Sequence, residues 1–228
     1  MKQKTKNTMK RALDNRNYFY DKHFPAKRVE FGVIEKIVGK NKKIVDLGCG
    51  DGFLMQTLSN NGNKCAGVEI SHSGVQVCKE KDLDVIEARI DAKLPYKDKS
   101  FDVAICNVTL HMTMYPEVLI KEMRRISKKQ IVTFPNFGFI VNRFQLMFSG
   151  VFPRWSLFGY NWYSTGHIHQ LSIRDYINYC VKNKISIVET HHLLPGPARR
   201  WFPENSIVYK VLQKFSNLSS VMGVFVTK

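Results

Sequence analysis

Residues 46–52, Asp46-Leu47-Gly48-Cys49-Gly50-Asp51-Gly52, set glycines at alternate positions behind a carboxylate. Gly48 and Gly50 let a backbone turn sharply and approach a ligand closely, because a Cβ would collide with it. Gly52 leads into a helix whose first N–H groups face outward as donors. Asp46 repels a pyrophosphate and suits a ligand with a positive amino group. Cys49, inside the turn, reads as a small filler and not a nucleophile. Glu69 lies about 20 residues beyond the glycines, where dinucleotide folds place the carboxylate that takes both ribose hydroxyls. These residues imply capture of a ligand that carries an ammonium and a ribose.

The histidines are the next candidates. His111 follows a strand end, where active-site loops gather, and could reach a substrate. His167-Ile168-His169 puts two imidazoles close together without a third ligand at fixed spacing, so the expectation is no metal and a possible general base. His191 and His192 occupy successive strand positions, point to opposite faces and cannot form one site. Trp155, Tyr160, Trp162 and Tyr163 either cap an acceptor pocket or pack the surrounding segment down.

The elements that must hold these residues alternate. Val29, Val33, Ile34, Ile37 and Val38 follow helical spacing until Gly39. Lys43–Leu47 is a strand running into the glycine turn, Phe53–Leu58 opens a helix, and Lys64–Glu69 is a second strand. Gly74–Cys78 is helical. Asp84–Ile86, Phe101–Asn107 and Gln130–Phe134 are further strands, with a helix from Pro116 to Ser127 that has Pro in its first turn. This alternation implies right-handed βαβ crossovers, a parallel sheet and helices on both faces. Residues 135–171 break the rhythm with aromatics, Gly and Pro. A helix from Ser172, the expected N-cap, to Val181 and strands at 185–193 and 221–226 complete the chain. Residues 1–26 read as a basic arm with an aromatic knot at Tyr18-Phe19-Tyr20, and residues 27–228 as one domain.

The net charge is +16, with the excess at both ends of the chain and an acidic stretch over 44–107. The basic residues are dispersed, apart from Arg124-Arg125, Lys128-Lys129 and Arg199-Arg200, so a solvated basic surface is favoured over nucleic-acid binding. Five cysteines, an odd number without a C-x-x-C pair, favour a reducing compartment and exclude a disulfide framework or zinc ribbon. No secretory leader and no uninterrupted apolar run of spanning length is present, which points to the cytoplasm. The apolar series Phe139, Ile140, Val141, Phe144, Met147 and Phe148 reads as a core or lid helix, with peripheral membrane docking as the alternative.

Asp46-x-Gly48-x-Gly50-x-Gly52, then Glu69, then Ser100-Phe101-Asp102 leading a strand into Asn107, resembles the class I S-adenosylmethionine-dependent methyltransferases. The resemblance implies a Rossmann-like, mostly parallel seven-stranded sheet with the last strand antiparallel. It implies S-adenosylmethionine across the carboxyl ends of the first strands. Gly48, Cys49, Gly50 and Gly52 would line its methionine part, and Asp46 would orient the loop and the amino group. Glu69, with Ile70 beside it, would bind the ribose. Asp91 and the Ile90 backbone would take the adenine, and Asn107 and Val108 would border the methionine end.

A narrower resemblance over roughly residues 40–195 rests on Phe134-Pro135-Asn136-Phe137-Gly138, Trp162-Tyr163-Ser164-Thr165, Ile168-His169 and Ile173-Arg174-Asp175-Tyr176. It is similar to the MetW family of methionine biosynthesis proteins, which is associated with homoserine O-acyltransferase. Two features depart from that family. The arm 1–26 is extra, and His167 stands where an amide is more usual. The expected function is methyl transfer to a small-molecule acceptor, with 136–170 as an insertion that closes over the acceptor. His111, His167 or His169 would serve as base. The alternatives are an accessory protein acting with the acyltransferase, and a methyltransferase on RNA or a lipid.

Overall fold

The computed structural model describes residues 28–153, 162–163, 166–196 and 206–228. The arm 1–26, Trp155, Tyr160, Ser164, Thr165 and Arg199-Arg200 lie outside them. The chain divides into two compact units, one up to Ile131 and one from Val132.

In the first unit, α1 (Val29–Val38) precedes β1 (Lys43–Leu47), α2 (Phe53–Asn60), β2 (Lys64–Glu69), α3 (His72–Glu80), β3 (Val85–Glu87) and β4 (Phe101–Asn107). A short 3-10 turn, Leu110–Met112, and α4 (Pro116–Ile126) follow. β5 (Ser127–Pro135) runs across the boundary. The second unit holds α5 (Ile140–Ser149), α6 (Ile173–Lys182), β6 (Ile187–Leu193), α7 (Ile207–Lys214), α8 (Ser216–Ser219) and β7 (Met222–Thr227).

The strand order is β3-β2-β1-β4-β5-β7-β6 in a seven-stranded sheet. β1 runs parallel to both β2 and β4, with Asp46 opposite Gly67 on one side and Ile105 on the other. β6 and β7 are antiparallel. The order reverses between β1 and β4, which places the switch point of this doubly wound sheet at their carboxyl ends. Ile44 to Leu47 are all buried. Successive strand residues face opposite ways, so both faces of β1 are covered.

In the second unit Phe134 and Phe225 stack at 5.6 Å with rings 3° from parallel, and Tyr176 meets Phe225 at 4.8 Å. Beside this aromatic core, the buried Asn136 joins three stretches of chain. Its Nδ2 donates to the carbonyls of Asn217 at 3.0 Å and Ser220 at 2.7 Å. Its Oδ1 accepts from the N–H groups of Gly138 and Ile173, both at 3.1 Å. The Ile173 bond falls at the start of α6, where Ser172 and Asp175 form a reciprocal capping box. Asn136 is therefore a staple between segments.

Several elements differ from expectation. β5 begins three residues earlier, at Ser127, because Lys128 and Lys129 lie in the strand despite their charge. α5 falls on the apolar series expected to form a helix, but Phe144, Met147 and Phe148 are exposed and not in a core. α7 and α8 occupy a region to which the sequence pattern assigned nothing. No helix among the described residues is long and apolar enough to cross a membrane.

Candidate functional site

The site grows from the turn after β1. Gly48 adopts a φ of +79°, Gly50 +58° and Gly52 +73°, the left-handed region that favours glycine. At Gly48 the requirement is doubled, because a Cβ there would stand 2.5 Å from Thr109 Cγ2 and 2.8 Å from its Oγ1. Gly48 and Cys49 both donate to the Val68 carbonyl, at 2.8 and 3.2 Å, which anchors the loop to β2. Asp51 Oδ1 accepts from the Phe53 N–H at 3.1 Å, so one of the donors expected at the start of α2 is already satisfied internally.

Glu69, buried at the end of β2, reaches across to that loop. Its Oε2 accepts from the Gly50 N–H at 2.8 Å and its Oε1 from the Ser71 N–H at 2.8 Å. A carboxylate has about four lone-pair sites, so these two bonds do not by themselves exhaust it.

Asp46 is buried on β1 just ahead of the glycines, and its Oδ1 has no hydrogen-bond partner among the described residues. Burial above all, then the nearby Glu69 and Asp51 carboxylates, push it up to about 7, with Arg28 pulling the other way. An acceptor enclosed without a donor is costly, and a cation beside it removes that cost.

Asp91 is committed within the protein. Arg89 holds both of its oxygens, Nε to Oδ1 at 3.1 Å and a terminal nitrogen to Oδ2 at 2.9 Å. The N–H groups of Met114 and Tyr115 add two bonds of 3.2 Å to Oδ2, tying Asp91 to the start of α4. Ile90 is buried beside it. Ile70 follows Glu69 directly and is half-buried. Asn107 Nδ2 lies 3.4 Å from Glu30 Oε1. Val108, at the carboxyl end of β4, has a φ of +53°, a position a β-branched residue rarely occupies. Strain of that kind marks a backbone shape that the surrounding structure imposes.

The cysteine in the loop is inert. A hydrogen bond with Cys78 and burial hold the Cys49 thiol well above its ordinary range, so it stays protonated. Cys78 Sγ in turn lies 3.4 Å from the Gly50 carbonyl.

The histidines separate. His111 is buried in the 3-10 turn. His167 is half-buried and desolvation pushes it down to about 4, leaving a neutral imidazole at pH 7. With Val151, Phe152, Trp162, Ile168 and Gln170 it lines a cavity of about 480 Å³. His169 is exposed and is not among the residues lining that cavity. Among the described residues no group of three or more His, Cys, Asp or Glu could hold a metal.

Sequence reasoning did not single out Thr109, Ser71, Arg28 or Glu30. No local motif marks them: Ser71 meets Glu69, Glu30 meets Asn107, and Thr109 and Arg28 come near the site only through the fold. Arg89 alone carried a signal, its position two residues before Asp91.

Known proteins share the family and the fold. The family model described as "Methionine biosynthesis protein MetW" matches residues 28–226. A bifunctional methionine biosynthesis protein MetXA/MetW of Rhodopirellula baltica is 27% identical over 143 residues, covering 58% of this chain and 23% of that protein. A ubiquinone biosynthesis O-methyltransferase of Coxiella burnetii is 29% identical over 99 residues, covering 41% of this chain and 42% of that protein. The chain thus spans less than half the length of either relative. A solved S-adenosylmethionine-dependent methyltransferase of Mesorhizobium loti shares the fold, with a TM-score of 0.62, 15% identity, and coverage of 88% of this chain and 97% of that one.

Proposed function

This chain belongs to the MetW family of methionine biosynthesis proteins, and from that premise we propose that it binds S-adenosylmethionine and transfers its methyl group to a small-molecule acceptor. The observation that carries this reading is Asp46. Its buried, unpartnered Oδ1 stands where an ammonium donor would satisfy it, beside a loop whose shape leaves backbone amides and the Glu69 carboxylate together.

The residues fit the cofactor part by part. Asp46 would accept from the amino group, and Glu69 from the ribose hydroxyls. The backbone of Gly48, Cys49, Gly50 and Gly52 would follow the methionine part, with Asn107 and Val108 at its end. Ile70, Ile90 and Asp91 would border the adenine and ribose. S-adenosylmethionine supplies a methyl group already activated on a sulfonium, so no enzyme nucleophile is required. What the chain adds is orientation and exclusion of water. Residues 136–170 supply acceptor recognition in this proposal, with Trp162 as an apolar wall and neutral His167 as a hydrogen-bond acceptor or weak base.

The test is calorimetry of the full chain with S-adenosylmethionine, followed by turnover with radiolabelled methyl donor over pooled small metabolites. Saturable binding that Asp46→Ala abolishes supports the reading, and no detectable binding overturns it.

A second reading is favoured by the Rhodopirellula relative, whose name joins MetXA and MetW in one chain. In it, the cofactor-loaded protein acts on a homoserine O-acyltransferase. Co-purification with that enzyme and a change in its rate, without methyl turnover, would select this reading.

A further inference from the structure

Helix α5 is built inside out. Of its residues Ile140–Ser149, Asn142 is the buried one, and its Nδ2 donates to the Phe137 carbonyl at 3.2 Å. Phe144, Met147 and Phe148 face outward, 49, 66 and 77% exposed. Val141 is exposed too, and positions 141, 144 and 148 repeat at helical spacing along one face. Phe144 and Phe148 stack on each other at 5.7 Å, so the two rings form a protruding slab. A soluble surface rarely carries such a contiguous apolar stripe unless something covers it.

Charge identifies the cover. From 136 to 175 the sequence contains Arg143, Arg154 and Arg174 against one carboxylate, Asp175, which is engaged by the Ser172 N–H and hydroxyl in the cap of α6. Arg143 is fixed at the base of the helix, its Nε donating to the Gly138 carbonyl at 2.7 Å, and Arg174 is exposed in the first turn of α6. A second copy of the chain would bring the same arginines face to face, with only Asp175, already held in the cap of α6, to pair them. Protruding Phe and Met side chains flanked by arginines match the interface of a bilayer with anionic headgroups, which takes apolar side chains into the acyl boundary and holds cations at the surface.

We propose that the outer face of α5 docks this protein on an anionic lipid surface, with Phe144, Met147 and Phe148 entering the interface and Arg143 and Arg174 on its rim. Apolar insertion and charge attraction act together, since either signal alone gives only weak attachment.

The experiment is flotation of the full chain with vesicles of phosphatidylcholine alone and with about 30% phosphatidylglycerol. Binding to the anionic vesicles is expected to be roughly tenfold stronger, and to fall in about 0.5 M salt, where charges are screened within about 4 Å. The double substitution Phe144→Ser and Phe148→Ser should weaken it by roughly tenfold or more, with an unchanged far-ultraviolet spectrum and melting temperature, because both rings are already exposed. Met147→Asp, which adds a negative charge to the stripe, should do the same. Equal binding to neutral and anionic vesicles, or binding unaffected by these substitutions, overturns the proposal. So does a dimer in sedimentation that the double substitution dissociates, since a second copy would then cover the face.

Discussion

Glu69 and Gly50 are joined by a 2.8 Å bond from the loop N–H to the carboxylate, so the residue at the end of β2 shapes the turn that follows β1. Glu69→Ala removes this bond and the one to Ser71 together. Bonds to charged groups contribute about 1.5–3 kcal/mol each, so S-adenosylmethionine affinity should drop by more than roughly tenfold. The melting temperature should fall as well, because the buried Ser71 N–H and the part-buried Gly50 N–H lose their acceptor. Calorimetry and a thermal melt on the same sample read both effects. An alanine variant with native affinity would remove Glu69 from the site.

Asp46 predicts a stability gain from a disabling substitution. Its ordinary value is 3.8, and in the fold it is raised to about 7. The proton it keeps supports the fold fully below pH 3.8, and that support is lost as pH rises through 7. Asp46→Asn removes the ionisation. Without ligand, variant and wild type should melt close together near pH 4, and by pH 8 the variant should be ahead by about 4 kcal/mol. That corresponds to roughly 8–16 °C for a chain of this size. A difference independent of pH would show that Asp46 is not buried as a strained carboxylate.

The same carboxylate fixes the pH dependence of cofactor binding. An ammonium pairs with ionised Asp46, so below 7 the site must first release a proton. An α-amino group itself deprotonates above about 8. Affinity should therefore peak between about pH 7 and 8 and be roughly tenfold weaker at pH 6. Titrations in two buffers of different ionisation enthalpy should also reveal proton release at pH 6. Flat affinity across this range would break the pairing of Asp46 with the amino group.

Gly48 and Thr109 are coupled through space. Gly48→Ala meets Thr109 Cγ2 at 2.5 Å and adopts an unfavourable φ. It should destabilise the chain by about 2–4 kcal/mol in urea unfolding. Adding Thr109→Ala removes the two nearest atoms, and should recover roughly half of that loss while the backbone cost remains. Strictly additive effects would mean the two residues are not in contact.

Asn136→Ala strands the N–H groups of Gly138 and Ile173 and the carbonyls of Asn217 and Ser220. Each orphaned buried group costs about 1–3 kcal/mol, and a total loss of about 3 kcal/mol or more is expected in chemical denaturation. Asn136→Asp keeps the acceptor and loses the donors, and should fall between.

The first unit was legible because its signals are local. α1, β1, β2 and β4 have the limits that apolar spacing and glycine stops indicate, and the carboxylates and glycines of the site announce themselves by type. α7 escaped notice because Ile207-Val208 is a β-branched pair of low helix propensity, and none of the helix's residues is buried to enforce a face. Thr109 and Arg28 were illegible for a different reason. Their contributions exist only after residues distant in sequence meet, and nothing in their own neighbourhood foretells the meeting. Of the two neighbouring histidines named as candidate bases, His167 and not His169 lines the cavity with Trp162. An extended polar segment gives no periodicity from which to choose between them.

The Asn136 staple also sets a schedule for synthesis. Its bonds reach 37, 81 and 84 residues along the chain. While the chain emerges from its N-terminal end, the first unit's local βαβ contacts can close, yet the carbonyls that accept from Asn136 Nδ2 are missing until Ser220 has been made. Contacts of such long sequence separation form slowly, and strand surface left waiting for them is prone to association with other chains. The second half of this protein is thus the part that would need a chaperone's protection, and Asn136 the residue whose satisfaction marks the end of that vulnerable interval.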